Sequence, residues 1–306
     1  RATGWVEVVR LIADHRLPHE AVEGHKQHRE VWEALFWQMP PHALLRNLGK
    51  LTSIGVLAPF SNAAKAAADR IADDVLLRRA RIHPLDVLSA LNVYSEGHGM
   101  RGSLEWEPVK TIQGALEEAF DLCFGFIEPT GKRLLLAVDV SCSMQAGEIA
   151  GLPGVKPQAA AAVMAMVTAR KERDWHLVGV ADRIYPLAIQ PTMGWRQVLR
   201  EMSKGIGTST DLSLAFDLAT GKEWDVDAFC LYSDMETWVG RSHPFEALRQ
   251  YRQHRVSNAR LVAAAFTATS QTVVAPEDDL CLNLIGFDSA APALIHDFVT
   301  RDDPRF

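Results

Sequence analysis

The spacing of apolar residues changes rhythm part-way along the chain. Over residues 1–127 they recur three and four apart: Val8, Leu11 and Ile12, then Val31, Leu35 and Met39, then Leu44, Leu45, Leu48 and Leu51. Such spacing puts one apolar stripe on each of a series of helices. Trp32 and Trp37 fall in the same helical spacing and are expected in the core. The helices are punctuated at Leu17-Pro18, Met39-Pro40-Pro41, Ala58-Pro59 and His83-Pro84, and at Gly97, Gly99 and Gly102, residues that turn a chain. Paired helices with no strands between them predict an all-α, solenoid-like stack of HEAT-like repeats. No crisp internal sequence repeat accompanies it.

From Glu128 the pattern becomes one of strands alternating with helices. Leu134 to Val138 is an unbroken apolar run, as in a parallel strand covered on both faces. A helix with proline in its first turn is expected over Pro157–Lys171. Further strands are expected at His176–Ala181, Ala228–Ser233, Arg260–Phe266 and Leu282–Phe287. Helices are expected at Trp195–Met202, from Asp211, at Pro244–Arg252 and at Ala291–Thr300. The fold class is therefore α + α/β: an all-α domain over 1–127, then a doubly wound, Rossmann-like domain over 128–306. A length of 306 residues also exceeds what one hydrophobic core comfortably spans. The sequence opens at Arg1 directly into helical spacing, which reads as a piece of a longer chain with repeats missing upstream.

In doubly wound sheets, ligands bind outside the carboxyl ends of the strands, where the strand order reverses. Two strands run out there into oxygen-bearing residues: Asp139, Ser141 and Ser143 after the first, Ser233 and Asp234 after another. Between them lies the loop Gly205 to Asp211, whose glycines allow close backbone approach. Carboxylates and hydroxyls are hard ligands that favour Mg²⁺, Ca²⁺ or Mn²⁺ over zinc or copper. Ser141 and Ser143 would coordinate directly, with Thr210 entering from the glycine loop. Asp139 and Asp234 would supply charge through bound water, since Mg²⁺ sheds its waters reluctantly. An open position on the ion could take an acidic group from a partner protein. Taken singly, each of these residues reads as well as a helix cap, and it is their convergence that points to a metal site. Asp211 reads as a cap and Asp182 as a turn residue.

The net charge of −6 gives no global basic footprint, so any RNA contact must be local. Candidates are Arg46 with Lys50, one turn apart on one helix face, Arg78, Arg79 and Arg81, and Arg101 in its glycine loop. His98 either stacks on a base or holds its loop. Asp69, Asp73 and Asp74 stand before the arginine cluster and could neutralise it. Cys123, Cys142, Cys230 and Cys281 form no C-x-x-C pair, which suits reduced thiols in a cytoplasm better than disulfides or zinc. A P-loop and a G-x-S-x-G elbow are both absent, and Ser141 stands where an aspartyl nucleophile would need a second aspartate. The expectation is a binding protein and not an enzyme.

Several segments together resemble one family. They are Met39 to Lys50 (MPPHALLRNLGK), Ala80 to Pro84 (ARIHP), Gly97 to Gly102 (GHGMRG) and Glu128 to Arg133 (EPTGKR). Val138 to Met144 (VDVSCSM), Ser233 to Thr237 (SDMET), His243 to Arg252 (HPFEALRQYR) and Gly286 to Asp288 (GFD) continue the likeness. The chain resembles, over essentially its whole length, the bacterial-type Ro autoantigen (TROVE) proteins. The resemblance implies a helical-repeat ring closed by a von Willebrand factor A domain, with a metal-ion-dependent adhesion site on Asp139, Ser141, Ser143, Thr210 and Asp234. It implies binding of small non-coding Y RNA and of misfolded RNA ends, and a tethering role beside an exoribonuclease such as polynucleotide phosphorylase. It favours Arg46, Lys50, His98 and Arg101 as RNA-binding residues, because they lie inside the matching motifs. The competing expectation is a metal-dependent adhesion module that binds no RNA in this shortened form.

Overall fold

The computed structural model describes residues 4–18, 21–22, 28–100, 102–204, 207, 209–235, 242–267, 273–275 and 277–301. The chain divides into two compact units, Arg1–Phe126 and Ile127–Phe306. Among the described residues the first is helical, with no extended strand: α1 (Trp5–His15), α2 (Arg29–Phe36), α3 (Pro41–Ser53), α4 (Asn62–Ile71), α5 (Asp74–Ala80), α6 (Pro84–Glu96) and α7 (Lys110–Cys123). Pro41 and Pro84 each occupy the first helical turn, where the missing N–H costs nothing. Asp73 caps α5 by accepting from the Val75 and Leu76 amides. Helix α7 buries Ile112, Leu116, Ala119, Phe120 and Cys123 and packs against α4, α5 and α6.

Trp32 is buried, but Trp37 is 56% exposed, against expectation. Five positions separate the two, about 140° around a helix of 3.6 residues per turn. Trp37 also stands where α2 ends, so its ring leaves the buried stripe. That end of α2 is held from α4: the Arg70 guanidinium donates to Phe36 O at 2.8 Å and also to Met39 O, and lies over the Phe36 ring. Gly49 on α3 meets the Trp106 indole so closely that an added Cβ would sit 2.6 Å from the ring.

The second unit is built on a six-stranded sheet. Its strands are β1 (Leu134–Asp139), β2 (Trp175–Val180), β3 (Ile184–Pro186), β4 (Ala228–Ser233), β5 (Arg260–Ala265) and β6 (Cys281–Ile285). They lie in the order β3-β2-β1-β4-β5-β6, all parallel except β3, which pairs antiparallel with β2. β3 is too short and too exposed to leave a periodic trace in the sequence. β1, β4 and β5 are buried at every position.

Among the described residues of the unit, the helices are α8 (Pro157–Lys171), α9 (Trp195–Met202), α10 (Leu214–Gly221), α11 (Pro244–His254) and α12 (Ala291–Thr300). α8 is buried nearly all round, which its run of small alanines permits. The buried Arg260 guanidinium donates to Phe298 O, Val299 O and Arg301 O, closing the carbonyl end of α12 with positive charge. Among the described residues no helix is long and apolar enough to cross a membrane.

Candidate metal centre and basic residues

The strand order reverses between β1 and β4, and the carboxyl ends of these two strands carry the candidate ligands. Asp139, the last residue of β1, is fully buried, with Thr210, Ser141 and Asp234 nearly so. Its Oδ1 accepts from the Ser141 amide at 2.8 Å, which bends the chain out of the strand into the turn Cys142–Gln145. That turn brings Ser141 Oγ to 3.0 Å from Ser143 Oγ. The Thr210 hydroxyl donates across to the Asp139 carboxylate, 3.2 Å from Oδ1 and 3.1 Å from Oδ2.

The glycine loop is pinned on both sides. The Cys142 amide donates to Gly207 O at 3.2 Å, and the Asp211 amide to Ala181 O at 2.9 Å. A Cβ at Gly207 would lie 2.2 Å from that of Ala181, so only glycine lets this loop pass close enough to deliver Thr210. Gly205, Ile206 and Thr208, from the same loop, lie outside the described residues, as do Glu236 and Thr237.

One participant, named among the strand-end oxygens, has no ligand role in the sequence reading. Ser233 Oγ donates to Asp139 Oδ2 at 2.6 Å and accepts from the Met235 amide at 3.0 Å. The signal was available, since Ser233 ends β4 beside Asp234. Asp211 keeps to a turn: its carboxylate accepts from the Ser213 amide at 3.0 Å and from the Ser213 hydroxyl. Asp182 accepts from the Tyr185 hydroxyl at the β2–β3 turn.

Burial pushes the Asp139 carboxyl above its ordinary pKa, against the stabilising bonds from Ser141 and Ser233, and the charge of Asp234 pushes it further. Among the described residues the one charge acting on Asp139 is thus another negative one. A desolvated carboxylate facing like charge is costly unless a cation joins it. The side-chain donor atoms that Asp139, Ser141, Ser143, Thr210, Ser233 and Asp234 offer are hydroxyl and carboxylate oxygens, the set that a small hard divalent ion prefers. The residues fit such an ion. Among the described residues, no three His, Cys, Asp or Glu side chains gather into a site of another kind.

The thiols hold no such chemistry. Cys123, Cys230 and Cys281 have their pKa values pushed up to about 12, burial being the largest cause in each, and Cys142 is exposed. All four are free thiols.

The basic candidates are dispersed. Arg46 is exposed on α3, while Lys50 lies over the Trp32 ring at 6.0 Å. Arg78 lies over the Phe126 ring. His98 is exposed, pairs with Glu96 at 3.9 Å and holds its loop through Gly99 O. Arg101 lies outside the described residues.

The Ro60 vWA domain family matches residues 133–299, and the TROVE domain matches residues 20–93. The chain belongs to the Ro60 family. The first match runs from the start of β1 into α12 and so takes in Asp139, Ser141, Ser143, Thr210 and Asp234. The chain is 40% identical over 289 residues to RNA-binding protein RO60 of Deinococcus radiodurans, covering 94% of this chain and 54% of that one. It is 37% identical over 276 residues to RNA-binding protein RO60 of Caenorhabditis elegans, covering 88% and 42%. The crystal structure of the Deinococcus radiodurans RO (RSR) protein superposes with a TM-score of 0.87 at 39% identity, over 95% of this chain and 59% of that one. The chain therefore spans about half the length of the curated relatives it matches.

Proposed function

We propose that this chain is a non-catalytic, cytoplasmic RNA-binding protein. On this reading it holds small non-coding Y RNA and the ends of misfolded RNA, and it acts as a tether in RNA quality control beside an exoribonuclease. The observation that carries the reading is the match of the helical unit to the TROVE domain, in a chain 40% identical to a protein named for RNA binding. The A domain would hold a divalent cation, Mg²⁺ before Ca²⁺ or Mn²⁺. Ser141, Ser143 and Thr210 would present hydroxyls to it, and Asp139 and Asp234 would balance its charge. A bound ion supplies an electrophilic position for an acidic group of a partner protein. Residues of the chain bind and orient on this reading, and none is assigned to bond breaking.

The test is a titration with a single-stranded 3′-tailed RNA, with and without EDTA, across a range of salt. Binding that weakens as salt rises, as phosphate contacts require, and that ignores EDTA supports an RNA surface separate from the metal site. No binding at low salt would sink the RNA reading and leave the adhesion module. Turnover of the RNA would overturn the non-catalytic assignment.

A further inference from the structure

The helical unit contains a cavity of about 820 Å³ whose walls include Arg16, Trp37, Gln38, His42, Arg46 and Asn47. Its size falls within the range of small-ligand sites, and its chemistry is uneven in an informative way. No acidic side chain is among the described residues that line it. Arg16 and Arg46 are both exposed, and among the described residues neither guanidinium has an ion-pair or hydrogen-bond partner. Trp37, turned out of the core at the end of α2, contributes an indole that is 56% exposed.

The remaining polar groups are tied down by one atom and open at the other. Gln38 Nε2 donates to Leu17 O at 2.6 Å, leaving Oε1. Asn47 Nδ2 donates to Ala43 O at 2.8 Å, leaving Oδ1. His42 Nε2 meets Ala80 O at 3.0 Å, which fixes that nitrogen as the donor and leaves Nδ1 as an acceptor. Two planar cations, one aromatic face and three oriented acceptors match a phosphate, a base face and the N–H edge of a base.

We propose that this cavity receives an unpaired nucleotide of single-stranded RNA, its phosphate between Arg16 and Arg46 and its base on the Trp37 ring. The proposal rests on the RNA-binding reading and gives that reading a place. It also separates Arg46 from Lys50: the first faces the ligand, whereas the second rests on Trp32. An acidic protein segment could satisfy the two arginines but would leave the indole and the three acceptors unused.

The experiment measures binding of a fluorescent uridine 12-mer to the full chain by anisotropy, over a salt series. It compares Trp37→Ala, Trp37→Phe, Arg46→Gln and, as a control, Lys65→Gln at an exposed position of α4. Losing one base–aromatic stack should weaken binding about tenfold in Trp37→Ala, and Trp37→Phe should recover most of it. Arg46→Gln should lower the slope of log affinity against log salt by about 0.7, one phosphate contact on a single strand. Lys65→Gln should bind as the parent does. Parent binding that survives both Trp37→Ala and Arg46→Gln would overturn the cavity proposal while leaving the RNA reading intact. An equal loss in Lys65→Gln would replace the cavity with diffuse attraction. A parent that binds a poly-glutamate peptide as tightly as the 12-mer, with Trp37→Ala affecting neither, would assign the cavity to an acidic protein. A parent that binds no RNA removes the proposal together with the reading beneath it.

Discussion

His83 opens α6 with its ring enclosed, its Nδ1 accepting from the Leu85 amide at 3.2 Å and its backbone amide donating to Asp86 Oδ2 at 3.0 Å. Nε2, which carries the ring proton, is buried and, among the described residues, has no hydrogen-bond partner; a second proton, on Nδ1, would displace the Leu85 amide and add an unsolvated charge. Burial lowers the His83 pKa to about 3, whereas an unfolded chain takes up the proton near 6.5. Neutral His83 therefore contributes its full stability above about pH 6.5, and loses about 1.4 kcal/mol for each unit that pH falls from there toward 3. Urea midpoints should show the parent losing about 2 kcal/mol more than His83→Asn between pH 7 and pH 5, asparagine keeping a capping side chain without the titration. Equal pH dependence of the two proteins would contradict this account.

Among elements, the joint between α2 and α4 depends on one side chain. Arg70 satisfies carbonyls just past and at the end of α2, and its fork geometry is what lets one residue reach Phe36 O and Met39 O together. Desolvation lowers the Arg70 pKa, but a guanidinium keeps its charge under any ordinary condition. Arg70→Met should cost about 2 kcal/mol, since hydrogen bonds to charged groups contribute about 1.5–3 kcal/mol each and the site is partly wet. Arg70→Lys should recover less than half of that loss, because an ammonium is a point donor on a flexible stem. Chemical denaturation of both variants checks the order. If the lysine variant matches the parent, the bidentate argument fails.

For the whole molecule, a cation at Asp139 would tie together β1, the glycine loop and β4. Ligand at a hundred times its dissociation constant stabilises the folded state by about 2.7 kcal/mol. Saturating Mg²⁺ should therefore raise the melting temperature and slow hydrogen exchange at the Ser141, Cys142 and Met235 amides. The Ser141→Ala, Ser143→Ala double variant should show neither effect, and exchange in α3 and α6 serves as the internal reference. A parent protein indifferent to Mg²⁺, Mn²⁺ and Ca²⁺ alike would remove the metal from the site.

Much of this architecture was legible in the residues because it rests on local pattern. The apolar runs that became β1 and β4, and the prolines that open α8 and α11, mark elements without help from distant contacts. The polar ends of β1 and β4 likewise point to one sheet margin from the sequence alone. What escaped depends on turns, helix ends and cross-chain partners that apolar spacing does not encode. Asp211 turns back onto Ser213, so α10 begins at Leu214 and not at Asp211. Ser233 reads as a strand end until Asp139 faces it. Trp37 lies about 140° from Trp32 around the helix and α2 ends just before it, so its ring leaves the stripe. The cavity is assembled from α2, α3 and the chain after α1, and no single stretch of sequence contains it.

β3 has a consequence for how the molecule survives at high concentration. It ends one margin of the sheet with three residues, Ile184 to Pro186, running against the direction of the others. Pro186 carries no amide hydrogen to offer an incoming backbone. A neighbouring molecule seeking to extend the sheet from that side would find too short a template to zip onto. On that side, a short edge interrupted by proline discourages strand addition.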